Sequence, residues 1–271
     1  MAIRREPPAT PNQLYLFDDG YCFGCRFVMS ETVRFNASLL LSLDGTPFQV
    51  EAGPLRGPFT AAVMRPMLLR RLSADGPPLL SIGISPNHAA FRPFGLLGPP
   101  GLRALDPTLF QPLAEQLAAL HAGALAPAEA RAVYDRVIHL AAAQLPAPRP
   151  LDARVAAVMH RLTVDPDLPV EDMAADAGVS YDRMSHLFSE NLGLSIRSYS
   201  LSLKIHAASR LNGHGRSLTD IAHQAGFADS SHFSRVWQRA YGGSPSSFFD
   251  CNHVRLQTLY DAERPAGLPL D

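Results

Sequence analysis

V-E-D-M-A-A-D-A-G-V occupies residues 170–179 and L-T-D-I-A-H-Q-A-G-F occupies residues 218–227, one pattern written twice. The first copy continues to Met184, Leu187, Phe188 and Gly193, and the second to Phe233, Val236, Trp237 and Gly242. The copies are offset by 48 residues up to the central glycine and by 49 from Met184 and Phe233 onward, so one residue is inserted just after Gly226. Their exits match as well, Ser195 and Tyr199 pairing with Ser244 and Phe248.

Met173, Ala174 and Ala177 keep helical spacing before Gly178, as Ile221, Ala222 and Ala225 do before Gly226. A glycine there allows the left-handed turn that ends a helix. The alanines permit the close approach that two steeply crossing helices need. Each copy therefore predicts a helix-turn-helix. Met184, Leu187 and Phe188, with Phe233, Val236 and Trp237 as counterparts, supply the inward stripe of the second helix. The other face is left to meet a ligand, which in this motif is usually the DNA major groove. One such hairpin is as readily a packing unit; two copies favour DNA. Between them Tyr199, Leu203, Ala207 and Leu211 keep helical spacing. A helix of about 17 residues from Ser195 to Leu211 spans ~25 Å. With the turns at each end, the two second helices come about 34 Å apart, one duplex turn.

Residues from about 151 to 254 resemble the DNA-binding domain of the AraC/XylS family of bacterial transcription regulators. The resemblance rests on A-A-D-A-G-V-S at 174–180, H-L-F at 186–188, L-G-L-S at 192–195 and I-A-H-Q-A-G-F at 221–227. It extends through S-S-H-F-S-R-V-W at 230–237 and G-G-S-P-S-S-F at 242–248. It implies base-reading positions at Asp182, Ser185, His186 and Ser189 in the first unit, and at Ser230, Ser231, His232, Ser234 and Arg235 in the second. Arg197 and Arg239 are candidate phosphate anchors. A guanidinium at Arg235 suits the bidentate contact to guanine O6 and N7, worth about 1 to 3 kcal/mol of discrimination.

The family pattern is not kept everywhere. Lys204 stands where an arginine is usual, Trp237 replaces a phenylalanine, Phe249 takes the place of an arginine, and Asp182 brings negative charge to the reading face. Residues 150–255 hold 10 Lys or Arg against 11 Asp or Glu, so the region lacks the positive field of a strong non-specific binder. Moderate affinity that needs a dimer or an effector is expected. The second unit, with Arg235, should dominate base recognition, and the first should mainly position it.

The length of 271 residues and a hydrophobic content of 46% suit two domains, each with its own core. The opening M-A-I-R-R-E-P-P-A-T-P has no apolar run to follow its charges, and no stretch of eighteen apolar residues occurs. A cytoplasmic protein is expected, with neither signal peptide nor membrane anchor. Short apolar runs at 14–17, 25–29, 38–43, 48–51, 61–64 and 79–84 predict strands, and Asp-Gly at 19–20, 44–45 and 75–76 predicts hairpin turns. An antiparallel barrel or sandwich follows. Two helices come next, Pro107 to His121 and Pro127 to Leu145, before the proline-rich P-A-P-R-P at 146–150. The expected fold is α+β: a cupin-like antiparallel β-barrel with two helices over 1–145, a linker at 146–150, an all-α domain with two helix-turn-helix motifs over 151–255, and a tail at 256–271.

The resemblance implies that the first domain binds an effector and dimerises, and that the whole is an activator contacting RNA polymerase and double-stranded DNA. A metal-dependent cupin enzyme would need paired histidines, yet His88 is the only histidine before residue 121, so neither metal, cofactor nor catalytic residue is expected. Arg65, Arg70 and Arg71 hint at an acidic ligand, exposed strand arginines being the plainer explanation. Cys22 and Cys25 leave a thiol-sensing alternative open, although their odd spacing puts the side chains on opposite faces of a regular strand. Sharing a metal or a disulfide would need a bulge, placed by the sequence at Gly24.

Overall fold

The computed structural model describes residues 11–211, 216–248 and 254–260. Phe249, Cys251, the opening residues 1–10 and the tail from 261 lie outside these.

The N-terminal half is one antiparallel sheet built on two long strands. Its members are β1 (Asn12–Phe17), β2 (Gly20–Val33), β3 (Ala37–Ser42), β4 (Phe48–Ala52), β5 (Leu55–Phe59), β6 (Ala61–Met64), β7 (Leu69–Ile84) and β8 (Leu102–Ala104). The order is β8-β6-β3-β7-β2-β1, with β4 hydrogen-bonded to β5 and to the first half of β7. β2 and β7 pair along nearly their whole lengths, and the register slips between Cys25 and Phe27. That bulge lets the sheet bend over itself. Cys25, Leu40, Phe48, Val50, Met64, Leu72 and Leu79 meet inside the fold. Strand β3 reads A-S-L-L-L-S without alternation because both of its faces are covered, one by this inner cluster and one by helices.

The Asp-Gly dipeptides play three different parts. Asp18 and Asp19 form the β1–β2 turn, while Gly20 already pairs with Phe17. A Cβ on Gly20 would fall 1.9 Å from the Tyr134 hydroxyl, so packing explains that glycine. Asp44-Gly45 is a turn but closes no hairpin, since β3 pairs with β6 and β7. Asp75-Gly76 lies inside β7 at the bulge, where Gly76 takes φ +102 and is followed by Pro77 and Pro78, which donate no ladder hydrogen bond. The chain continues instead of turning back.

A single turn α1 (Arg92–Gly95) precedes β8. The helix expected from Pro107 opens as a 3-10 segment, Pro107–Leu113, because Pro112 cannot supply the α-helical donor, and becomes α2 (Ala114–Ala122) only afterwards. α3 (Pro127–Ala142) then packs Tyr134, Val137 and Ile138 into the core. Residues 146–152 contain no helix or strand.

Next come α4 (Ala153–Val164), α5 (Val170–Asp176), α6 (Tyr181–Leu192), α7 (Ile196–Leu211), α8 (Leu218–Gln224), α9 (Ser230–Tyr241) and α10 (Pro245–Phe248). One apolar cluster runs from the outer sheet face through α3 to Val155, Met173, Met184, Phe188 and Tyr199. The second helix-turn-helix has its own cluster, in which Phe35 of the bend between β2 and β3 joins Phe227, Phe233 and Trp237. The two halves also meet through Arg92 Nε donating to the Asn191 carbonyl at 3.0 Å and through an Arg210–Asp18 ion pair at 3.3 Å.

The segment assigned to the end of the DNA-binding region and the start of a tail is in part a strand. β9 (Val254–Leu259) lies parallel to β1, in register from Asn12 with Val254 to Phe17 with Leu259. It completes a nine-stranded sheet.

Candidate nucleic-acid interface

The two repeats fold alike residue by residue. Gly178 and Gly226 take φ +66 and +78, and Gly193 and Gly242 close α6 and α9 in the left-handed conformation. Ser180 Oγ caps α6 by accepting from the Arg183 amide at 3.2 Å, and an Asp229 carboxylate oxygen caps α9 by accepting from the His232 amide at 2.6 Å. The caps show where the extra residue sits: Val179 corresponds to Phe227 and Ser180 to Asp229, leaving Ala228 as the insertion. That amide, with Arg235 contributing less, holds the Asp229 carboxyl below the usual range.

Met184, Leu187, Phe188 and Leu192 bury one face of α6, and Phe233, Trp237 and Ala240 bury one face of α9. Trp237 fills its larger site between Phe233 and Tyr241, with ring centroids 5.6 and 4.7 Å away. The remaining faces carry the residues named from the sequence. Asp182, His186, Ser189 and Arg197 are exposed and Ser185 is half-buried. In the second unit Ser231, Arg235 and Arg239 are exposed, whereas Ser230, Ser234 and His232 are half-buried. The His232 ring lies edge-on to Phe227 at 5.5 Å, which makes it partly a support for the turn. Asp182 sits in the first turn of α6, where a negative charge favours the helix N-terminus whatever it does toward DNA.

Sequence reasoning passed over Arg183. It is exposed on the first turn of α6, and the 49-residue offset aligns it with His232, a signal present in the repeat itself.

The even balance of charge hides a division of labour. Ion pairs occupy Arg154 with Asp152, Arg161 with Asp176, Lys204 with Asp167 and Arg210 with Asp18. Among the described residues of this region, Arg183, Arg197, Arg216, Arg235, Arg239 and Arg255 are exposed and join no ion pair, and four of these six lie on the helices that follow the turns or at the start of α7. Eight of the eleven acidic groups counted in this region lie on other helices, caps or loops.

The thiols do not form a joint site. Cys22 packs in the outer cluster and Cys25 in the inner one, on opposite faces of β2, and the bulge falls beyond them instead of at Gly24. Burial raises both, Cys25 to about 12, which keeps them protonated and unreactive. No group of three or more potential metal-ligating His, Cys, Asp or Glu side chains occurs among the described residues. No helix among them is long and apolar enough to cross a membrane.

Comparison with known proteins agrees with this geometry. Residues 173–250 match the family described as "Helix-turn-helix domain". The transcriptional activator NphR of Rhodococcus sp is 34% identical over 104 residues, 38% of this chain and 30% of that protein. The arabinose operon regulatory protein of Escherichia coli (strain K12) is 31% identical over 103 residues, 36% of this chain and 35% of that protein. The match thus spans about a third of each relative's length. ToxT from Vibrio cholerae O395 shares the fold, with a TM-score of 0.55 at 14% identity over 84% of this chain and 95% of that chain. Through its paired helix-turn-helix region, the chain is similar to these regulators of transcription.

Proposed function

We propose that the protein is a sequence-specific DNA-binding regulator of transcription, an activator responsive to a small organic effector, and not an enzyme. The observation that carries this reading is the pairing of two capped helices, α6 and α9, whose exposed faces hold Arg183 and Arg235, neither in an ion pair among the described residues. α7 joins them as a helix of 16 residues, about 24 Å long at 1.5 Å per residue. Side chains of Arg235, His186, Ser185, Ser189, Ser231 and Ser234 are assigned to base edges, and Arg183, Arg197 and Arg239 to phosphates. The N-terminal sheet with α2 and α3 is assigned to effector binding and to a homodimer, and contact with RNA polymerase follows from the resemblance to activators.

Sequencing genomic fragments retained by the purified protein, with and without cell extract, tests the reading. Enriched sites should show two protected major-groove segments about one duplex turn apart. Failure to enrich any sequence over random DNA at fixed salt would overturn it.

A further inference from the structure

We propose that the mouth of the folded sheet is an oxyanion-binding site, built on Arg70 and Arg34, for an organic carboxylate or phosphate ester. The inference rests on the regulator reading above and names the chemistry of its effector.

Arg70 was expected to be an exposed strand arginine, and it is not. Its exposure is 3%. Arg71 is the exposed one and pairs with Glu31 at 3.0 Å and with Glu51 at 3.8 Å. Arg70 Nη2 donates to Ser38 Oγ at 2.8 Å, whereas its Nη1 is buried and meets no acceptor among the described residues. Arg34 approaches the same face. Its Nη1 donates to the Tyr21 hydroxyl and to Ser81 Oγ at 3.3 Å, and its Nε is also buried without an acceptor. Neither guanidinium forms an ion pair among the described residues. Burial, and after it the neighbouring Arg34 charge, draws Arg70 down to about 9, well below the usual guanidinium range.

Two like charges side by side in a largely desolvated place are costly unless something negative joins them. A carboxylate or phosphate can accept from two guanidinium groups at once, and Arg70 Nη1 and Arg34 Nε are the buried donors left without a partner among the described residues. Ser38 and Ser81 are neutral and hold the forks in place. The Tyr21 and Tyr241 rings, each 5.9 Å from the Arg34 guanidinium carbon, offer flat apolar surface to the rest of such a ligand.

The site also touches the second reading helix. Tyr241 is the last residue of α9, and the following Gly242 lies so close to Ser30 and Thr32 that a Cβ there would be 3.3 Å from each. Thr32 pairs with Arg70 across β2 and β7, and Ser30 with Leu72. An anion that re-aims Arg34 therefore changes what holds the end of α9 against the sheet.

The test is thermal unfolding of the full chain without DNA, at constant ionic strength, with benzoate, phenyl phosphate or neutral benzyl alcohol. An anion at ten times its Kd should raise Tm by about 2 to 3 °C. A benzoate response identifies a carboxylate site and a phenyl phosphate response a phosphate site. No response to either anion, or an equal response to benzyl alcohol, overturns the proposal. Arg70→Met and Arg34→Met should abolish the anion response, and Arg70→Met without ligand should melt at or above the wild type. A lower Tm for Arg70→Met, or an anion response retained in both variants, also overturns it. Because no DNA is present, failed enrichment of genomic fragments alongside an intact anion response would reject the regulator reading and leave the site standing.

Discussion

Lys204 Nζ donates to the Gly226 carbonyl at 2.6 Å and pairs with Asp167, so one side chain of α7 ties the loop before the first unit to the turn of the second. The lysine is mostly shielded, with its side chain 13% exposed. Its ammonium reaches a carboxylate and a turn carbonyl at once.

Lys204→Met should loosen the two units without unfolding either. The expected loss is about 1 kcal/mol, the net worth of an ordinary hydrogen bond, read as a lower midpoint in urea. Affinity for a site spanning two grooves should fall, while affinity for a half-site stays as in the wild type.

Gly178 has φ +66 and nothing within 4 Å of where a Cβ would stand, so backbone conformation alone opposes a side chain there. Gly178→Ala should cost about 1 to 2 kcal/mol. Gly98→Ala is the matched control, with open space and no left-handed φ, and should be neutral. Circular dichroism melts of both variants settle the difference.

Arg235→Ala and Arg239→Ala should fail in different ways. Loss of a base-edge contact at Arg235 should cost about 1 to 3 kcal/mol at one base pair and relax specificity there. Loss of Arg239 from a phosphate should weaken all sequences alike and lower the slope of log K against log salt by about 1. Binding titrations over a series of salt concentrations, on the mapped site and on single-base variants, separate the two. An Arg235→Ala protein with unchanged affinity and specificity would remove α9 from base recognition.

The helical repeat was legible because its core spacing, glycines and caps are local, and the correct insertion point followed once Ser180 and Asp229 were seen as caps. The sheet was legible only where apolar runs were short and separate. Asp75-Gly76 misled because the same dipeptide serves a turn or a bulge, and the choice is made by β2, half a hundred residues away in the chain. Arg70 and Arg71 are neighbours with opposite fates, decided by which face of β7 is covered by β3 and the end of α9. No local pattern distinguishes them.

His206 on α7 should make stability depend on pH. Burial draws it down to about 4 from 6.5, with Asp18 and Asp19 opposing and Arg210 reinforcing. The unfolded chain therefore binds a proton between these values that the folded protein refuses. Its contribution is intact above about pH 6.5 and is lost as pH falls toward 4, at up to about 1.4 kcal/mol per pH unit. Urea midpoints at pH 7, 5.5 and 4.5 should fall accordingly, and His206→Gln should flatten the trend. An equal slope in that variant would assign the effect to other groups.

The parallel pairing of β9 with β1 sets an order of events during synthesis. β1 leaves the ribosome some 240 residues before its partner, so the β1 edge spends most of translation uncovered, a template for any other extended chain. The last sheet contact can form only after both reading helices exist. Completion of the N-terminal sheet is thus a timer set by the emergence of β9, and nascent chains halted before Val254 should be the ones that chaperones retain.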